Sequence, residues 1–255
     1  MKKIFYLLLI PFALLIINSC SDDPVSLSGP EGNLYITSIP SGAQIWIDGV
    51  NTTQTTNDTI FDIEEGVRNV TLKRDEFEDT TFSISITAEE TSVVGPVVLT
   101  SDIQATLYGP IRIWESYGTP ASLPSGIDLS SGKAWGINSD SSGIVDIYFY
   151  SDSAGVSYLI KSADLAGLVR ETDFLVGTGT NLFDGRDSPV RNTGIETWTN
   201  NIDVSEDKYV FLYDHDGHYS KFLIANRGGG PGTGEPAYLD VQWYYNKKLQ
   251  DNRFK

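Results

Sequence analysis

The feature that most constrains the fold of this chain is a period-two alternation of apolar and polar residues in its N-terminal third. Successive side chains of a β-strand point to opposite faces, so each alternating stretch predicts a half-buried strand. Turn-forming residues separate the stretches, at Pro40–Gly42, Asp48–Gly49 and Glu65–Gly66. The alternating apolar residues are Leu34, Ile36, Ile45, Ile47, Val70, Leu72, Phe82, Ile84 and Ile86. Residues 32–100 therefore predict a small β-sandwich.

The motifs of this segment resemble those of the PEGA domain family. Its opening follows the pattern Gly32-x-Leu34-x-Ile36-x-Ser38-x-Pro40-Ser41-Gly42-Ala43-x-Ile45-x-Ile47-Asp48-Gly49, and a later stretch follows Glu65-Gly66-x-x-x-Val70-x-Leu72 with Phe77. The chain departs from the family between Asn51 and Thr59, where a region rich in Thr and Asn predicts a turn. PEGA domains are non-catalytic modules of exported and surface proteins, so the resemblance implies a spacer or adhesion role.

Residues 101–255 predict a second, larger antiparallel β domain. Ser162–Arg170 is the one segment that indicates a helical turn, with Ser162 as its N-cap. The polar connections Gly177–Thr193 and Gly228–Glu235 are expected to be exposed loops that shape a binding surface. Alternation and enrichment in Tyr, Phe, Val and Trp predict strands at Val145–Phe149, Tyr158–Ile160, Tyr209–Tyr213, Tyr219–Asn226 and Tyr238–Asn246.

Short motifs in this second region resemble those of HmuY-like lipoproteins. They are Val145–Phe149, the hairpin Asp216–Phe222, and the aromatic last strand Val241–Tyr245 with the tail Asn252–Phe254. The resemblance implies a β-rich surface lipoprotein, and some members of the family hold haem between two histidines on separate loops. In this chain both histidines, His215 and His218, lie in one tight turn, which favours a solvated hairpin tip and no haem cofactor.

The N-terminus predicts export and lipid attachment. Lys2 and Lys3 precede an apolar run from Ile4 to Ile17, which is the length of a signal-peptide core and too short to span a bilayer. The run ends before Cys20 in a pattern that resembles the bacterial lipobox. We therefore expect a signal peptide over residues 1–19, acylation of Cys20 and a tether over residues 20–31. Ser21, with the acidic residues that follow it, predicts the outer membrane and its cell-surface face.

Composition excludes several classes of function. Asp and Glu outnumber Lys and Arg by 34 to 18, a net charge of -16, which disfavours binding to nucleic acid. A single cysteine excludes an intramolecular disulfide and any multi-cysteine metal site. The Asp214–Gly217 turn opens like a calcium loop but lacks the later ligands, so no metal site is predicted. No nucleophile has a recognisable partner base, so no catalytic residue is assigned.

Three functions remain open at this point. The first is a non-catalytic, lipid-anchored protein of the cell envelope whose second domain binds a glycan, a peptide or another envelope protein. The second is a carrier of haem or another small ligand, which would use His215 and His218. The third is a glycan-active hydrolase with two paired carboxylates in a cleft. The candidate ligand-binding residues are these two histidines and the tryptophans Trp114, Trp135, Trp198 and Trp243.

Overall fold

The structure is a computed structural model that describes residues 29–120 and 122–254. These residues form β-strands and two short 3₁₀-helices, and no α-helix occurs among them. The prediction of an all-β chain is confirmed. The described residues divide into two compact units: an N-terminal unit of residues 29–72 and 80–98, and a C-terminal unit of residues 73–79 and 99–254 apart from 121.

Two sheets make up the N-terminal unit. One has the strand order β4-β1-β7, with β1 and β7 parallel, and the other has the order β3-β2-β5-β6. The strands are β1 (Glu31–Ile39), β2 (Gln44–Ile47), β3 (Val50–Thr55), β4 (Asp58–Glu64), β5 (Gly66–Lys73), β6 (Thr80–Ile86) and β7 (Thr91–Val98).

The core of this unit is built from the alternating apolar positions. Leu34, Ile36 and Ile45 are fully buried, as are Val70 and Leu72. The predicted turn over Asn51–Thr59 is wrong, because β3 and the start of β4 occupy most of it and only Thr56 and Asn57 connect them. Both strands lie at sheet edges, where exposed polar side chains are tolerated, so the alternation that marks the other strands is absent.

The C-terminal unit also contains two sheets, and every strand pair in its described part is antiparallel. The first sheet has the strand order β10-β9-β11-β12-β14, and the second sheet has the order β13-β15-β16-β17-β8. The strands are β8 (Ala105–Trp114), β9 (Gly126–Asp128), β10 (Lys133–Trp135), β11 (Ile147–Ser151), β12 (Tyr158–Ser162), β13 (Asp173–Val176), β14 (Asn201–Asp203), β15 (Val210–Tyr213), β16 (Tyr219–Gly228) and β17 (Tyr238–Asn246).

The main core of this unit lies between its two sheets. Ile147 and Phe149 of β11 pack there with Phe222, Val241 and Trp243 of the second sheet. The second sheet is buried on its other face too, where Phe211 stacks on Phe254 with ring centroids 6.2 Å apart. Burial on both faces explains why β15 reads as an unbroken apolar run.

The helical turn predicted over Ser162–Arg170 is a shorter 3₁₀-helix, Ala163–Ala166, followed by Gly167 in the left-handed conformation. Ser162 occupies the N-cap position, but its hydroxyl makes no capping bond. It contacts the Asp164 carboxylate instead and accepts a hydrogen bond of 2.7 Å from the Thr172 amide. The turn is thus fixed by the Ser162 side chain, which lies on the same face of the first sheet as Ile147, its partner on β11.

Candidate functional site

A cavity of about 420 Å³ lies against the outer face of the first sheet of the C-terminal unit. Its floor is β11, and its walls come from the 116–125 connection, from residues 136–138 after β10, and from Ala166 of the 3₁₀-helix. All of the lining residues are uncharged. We call this site the tyrosine cavity, after Tyr148 and Tyr150 on its floor. Its volume is that of a small-molecule site.

The strand alternation of β11 places the two tyrosines on the floor. Ile147 and Phe149 point into the core, so Tyr148 and Tyr150 point outwards. Their rings meet edge to face with centroids 6.4 Å apart, and the Lys161 ammonium lies 3.4 Å from the Tyr150 centroid. The Tyr148 side chain is only 4% exposed, and burial raises the pKa of its phenol to about 12. The Tyr148 hydroxyl is therefore a neutral donor at any physiological pH.

Asn138 holds one wall of the cavity in place. Its Oδ1 accepts hydrogen bonds from the Asp140 amide at 2.9 Å and the Ser141 amide at 3.2 Å, which caps the 3₁₀-helix Ser139–Ser141. The Ser141 hydroxyl in return accepts a 3.1 Å hydrogen bond from the Asn138 amide. This capping box orients the wall without using the Asn138 side-chain NH₂ group.

A buried ion-pair network joins the first sheet to the turn between β15 and β16 of the second sheet. Asp146 is fully buried, and its Oδ1 accepts a 2.7 Å hydrogen bond from Arg170 Nε while its Oδ2 accepts one of 2.8 Å from the Leu129 amide. Arg170 also donates to Asp216 at 2.6 Å. Burial raises the pKa of Asp146 to about 7, although Arg170 acts in the opposite direction. The network ties the residue before β11 to the segment that follows the 3₁₀-helix Ala163–Ala166 and to the Asp214–Gly217 turn.

The predicted hairpin tip joins this network. The buried Asp214 carboxylate accepts hydrogen bonds from the Asp216 amide at 3.0 Å, the His218 amide at 2.8 Å and the Tyr245 hydroxyl at 3.1 Å. Burial raises the pKa of Asp214 above its ordinary value. Gly217 closes the turn with a φ of 87°. The carboxylate oxygens of Asp214 therefore accept hydrogen bonds that hold the turn together. A calcium ion at this turn would need the same oxygens as ligands.

The two histidines belong to different environments on this one turn. His215 is exposed, and its Nδ1 lies 3.5 Å from the Glu171 amide. His218 is half-buried, with Nδ1 3.2 Å from the Asn246 carbonyl and its ring 5.4 Å from that of Tyr245. Within residues 29–120 and 122–254, no three His, Cys, Asp or Glu side chains are grouped so that they could hold a metal ion.

The four candidate tryptophans do not lie together. Trp243 is fully buried in the main core, where its indole NH donates to the Leu129 carbonyl at 3.0 Å, so it is a core residue. Trp114 and Trp198 are half-buried, and Trp198 packs against Tyr219. Trp135 is 37% exposed at the end of β10, next to the wall of the tyrosine cavity.

Both long connections predicted to shape a surface line smaller cavities of the C-terminal unit. Gly228–Pro231 lines one of about 240 Å³ with Tyr158 and Tyr238. Thr178 and Arg186 line another of about 220 Å³. A third cavity of about 640 Å³, beside β14, is lined by acidic residues of the 203–207 segment. The tyrosine cavity differs from the last two in having no charged lining.

Sequence reasoning missed Tyr148, Tyr150, Asp146 and Arg170 as site residues. The one available signal was the alternation in β11, which places both tyrosines on the face opposite the core residues Ile147 and Phe149. No sequence pattern identifies Arg170, because its partner Asp146 lies 24 residues away in the chain.

Comparison with known proteins identifies one domain. Residues 31–96 match the model of the PEGA domain family, which confirms the predicted PEGA domain in the N-terminal unit. No curated protein matches the chain significantly. The match is compatible with a non-catalytic protein of the cell envelope. The HmuY-like resemblance of the C-terminal unit stays a prediction.

Cys20 and the predicted signal peptide lie outside the residues that the structure describes. Within the described part, no helix is long and apolar enough to cross a membrane.

Proposed function

We propose that this chain is a non-catalytic, lipid-anchored protein of the outer membrane that presents its C-terminal unit as a binding module. The PEGA match supports a spacer role for residues 31–96. The lipobox-like pattern before Cys20 supports the anchor. About 0.8 kcal/mol for each buried methylene makes attachment through two or more acyl chains stable.

The observation that carries the binding role is the tyrosine cavity. It combines a small-molecule volume with two aromatic side chains and several uncharged polar groups, which fix the orientation of a bound ligand. No carboxylate lines it, so the cavity does not supply the acid and base of a glycan hydrolase.

The alternative of a haem carrier has less support. His215 and His218 are on one turn, and the His218 ring is held by the Asn246 carbonyl and Tyr245. The carboxylate of Asp216, which lies between them in the sequence, forms an ion pair with Arg170. These contacts favour a structural hairpin.

Metabolic labelling with a lipid analogue tests the anchor. The full chain should be labelled in a bacterial host and the Cys20→Ser variant should not. Equal labelling of the serine variant would overturn the anchor.

Retention on separated polysaccharide and protein fractions of a bacterial envelope tests the binding role. One fraction should retain the full chain but not Tyr150→Ala. Tyr244→Ala is the matched control, because Tyr244 is also a half-buried strand tyrosine and lines none of the four cavities described above. The bound material should be released with unchanged mass. Retention of Tyr150→Ala like that of the unmodified chain, or release of shortened products, would contradict the proposal.

A further inference from the structure

The tyrosine cavity also indicates the class of its ligand. We propose that the cavity binds an uncharged saccharide, with Tyr148 as a hydrogen-bond donor and with Trp135 as a stacking surface for a second sugar ring. This inference rests on the proposed binding role of the cavity.

The first argument is the set of polar groups that face the cavity without a partner. Among residues 29–120 and 122–254, no hydrogen bond is made by the hydroxyls of Ser116, Tyr148 and Tyr150 or by the side-chain NH₂ of Asn138. Hydroxyls donate and accept, whereas the amide NH₂ donates. Such a mixed set suits the hydroxyls of a sugar, which have the same dual capacity.

The second argument is charge. The lining carries no charged side chain, and the nearby Lys161 ammonium is engaged over the Tyr150 ring at 3.4 Å. An acidic ligand would find no countercharge in the cavity, and it would approach a chain with a net charge of -16. An uncharged ligand meets neither penalty.

The third argument excludes an extended peptide that adds to the sheet. Such a peptide needs a strand edge with free backbone groups. β11 forms the floor of the cavity, and it is paired with β9 on one side and with β12 on the other. The floor of the cavity therefore offers the face of a sheet and no edge.

The fourth argument is a further aromatic side chain on the same face of the sheet as Tyr148. Trp135, Gly126 and Tyr148 are directly opposite one another on β10, β9 and β11, so they share one face of the sheet. Two strand spacings separate Trp135 from Tyr148 by about 10 Å. Gly126 has no side chain, and Val145 fills the space beside it: its methyl groups lie 2.7 and 3.0 Å from where a Cβ of Gly126 would be. Aromatic rings bind ligands that have both apolar and polar parts, as sugars do.

Titration calorimetry with defined oligosaccharides tests this inference on the full chain. The probes are cellohexaose, xylohexaose, maltohexaose and mannohexaose, with a galacturonic acid hexamer as the charged comparison. At least one neutral hexamer should bind, and the acidic hexamer should not. Tyr148→Phe removes one hydroxyl and keeps the ring, so it should weaken binding about tenfold. Trp135→Ala should weaken binding of the hexamer more than binding of the corresponding disaccharide. Tyr244→Ala should change neither affinity.

The outcomes separate this inference from the function on which it rests. Binding of the acidic hexamer as tight as that of any neutral one, or an unchanged affinity in Tyr148→Phe, would overturn the saccharide assignment. If no neutral hexamer binds but Tyr150→Ala still abolishes retention on the protein fraction, the ligand class is wrong and the binding role stands. If Tyr150→Ala changes no retention, both are wrong. Thermal unfolding of each variant shows that lost binding is not lost folding.

Discussion

Each unit of this protein contains an arginine between two carboxylates beside an Asp-Gly turn, and the two clusters differ mainly in burial. In the N-terminal unit, Arg68 bonds Asp48 at 3.2 Å and Glu64 at 2.8 Å, and both carboxylates are well exposed. In the C-terminal unit, Arg170 bonds Asp146 at 2.7 Å and Asp216 at 2.6 Å. The side chain of Asp146 is fully buried there. The same residue types therefore form a surface cluster in one unit and part of the interior in the other.

Burial should decide what each cluster contributes to stability. Exposed ion pairs are screened by water and contribute about 0–1 kcal/mol. Removing one partner of a buried pair leaves an uncompensated charge, which costs about 3–5 kcal/mol. Native-state amide hydrogen exchange measures each unit separately, so both clusters can be compared in the full chain.

The largest effect is expected for Arg170→Ala. Above about pH 7, where Asp146 is ionised in the folded chain, the free energy of unfolding of the C-terminal unit should fall by about 3–5 kcal/mol, since the Asp146 carboxylate loses its partner. Arg68→Ala is the matched control, and it should lower the free energy of unfolding of the N-terminal unit by less than about 1 kcal/mol. Equal losses in the two units would show that burial does not distinguish the clusters.

The second prediction concerns opposite dependences on pH. Burial raises the pKa of Asp146 to about 7, so between about pH 4 and 7 the folded chain keeps a proton that the unfolded chain has released. The free energy of unfolding of the C-terminal unit, measured as the difference between the unmodified chain and Asp146→Asn, should therefore fall as pH rises through this range. It should level off above the range. For Asp48, the backbone hydrogen bond from Asn69 is the main cause of a lowered pKa. The stability of the N-terminal unit relative to Asp48→Asn should be lost as pH falls below about 4. Slopes of the same sign would contradict this assignment.

The comparison also shows which parts of the molecule the sequence predicts. The Tyr238–Asn246 strand agrees with β17, and the Asp214–Gly217 turn is where it was expected, because local alternation and turn chemistry specify both. β9 and β10 have three residues each, too few for an alternating pattern to show. The tyrosine cavity combines residues between positions 116 and 166, and Asp146 meets Arg170 only through strand pairing. Sequence spacing carries no record of such contacts, so only the outward direction of Tyr148 and Tyr150 could be predicted.

The third prediction compares the glycines of the two turns. Gly49 and Gly217 have φ values of 82° and 87°, a conformation that costs other residues about 1–2 kcal/mol. A Cβ on Gly49 would meet nothing within 4 Å, whereas one on Gly217 would lie 3.1 Å from Leu249 and 3.2 Å from the Tyr213 hydroxyl. Gly217→Val should therefore destabilise its unit more than Gly49→Val destabilises the other. A larger loss in Gly49→Val would show that the Gly217 turn adapts without strain.

The smallest effect is expected at the histidines of the Asp214–Gly217 turn. His215 is exposed, and His218 contributes one hydrogen bond at 3.2 Å and a ring contact, so the double change His215→Ala and His218→Ala should cost about 1 kcal/mol or less. Addition of calcium or haemin to the full chain should not raise its melting temperature, because a ligand stabilises only the state that it binds. The Asp214 carboxylate already accepts three hydrogen bonds within the turn, and a calcium ion would have to displace their donors. A rise in melting temperature with either ligand, or a haemin Soret shift, that is absent in the double variant would identify this turn as a binding site. In that case the buried cluster around Arg170 would support a ligand site at the hairpin, and the two arginine clusters would differ in function as well as in stability.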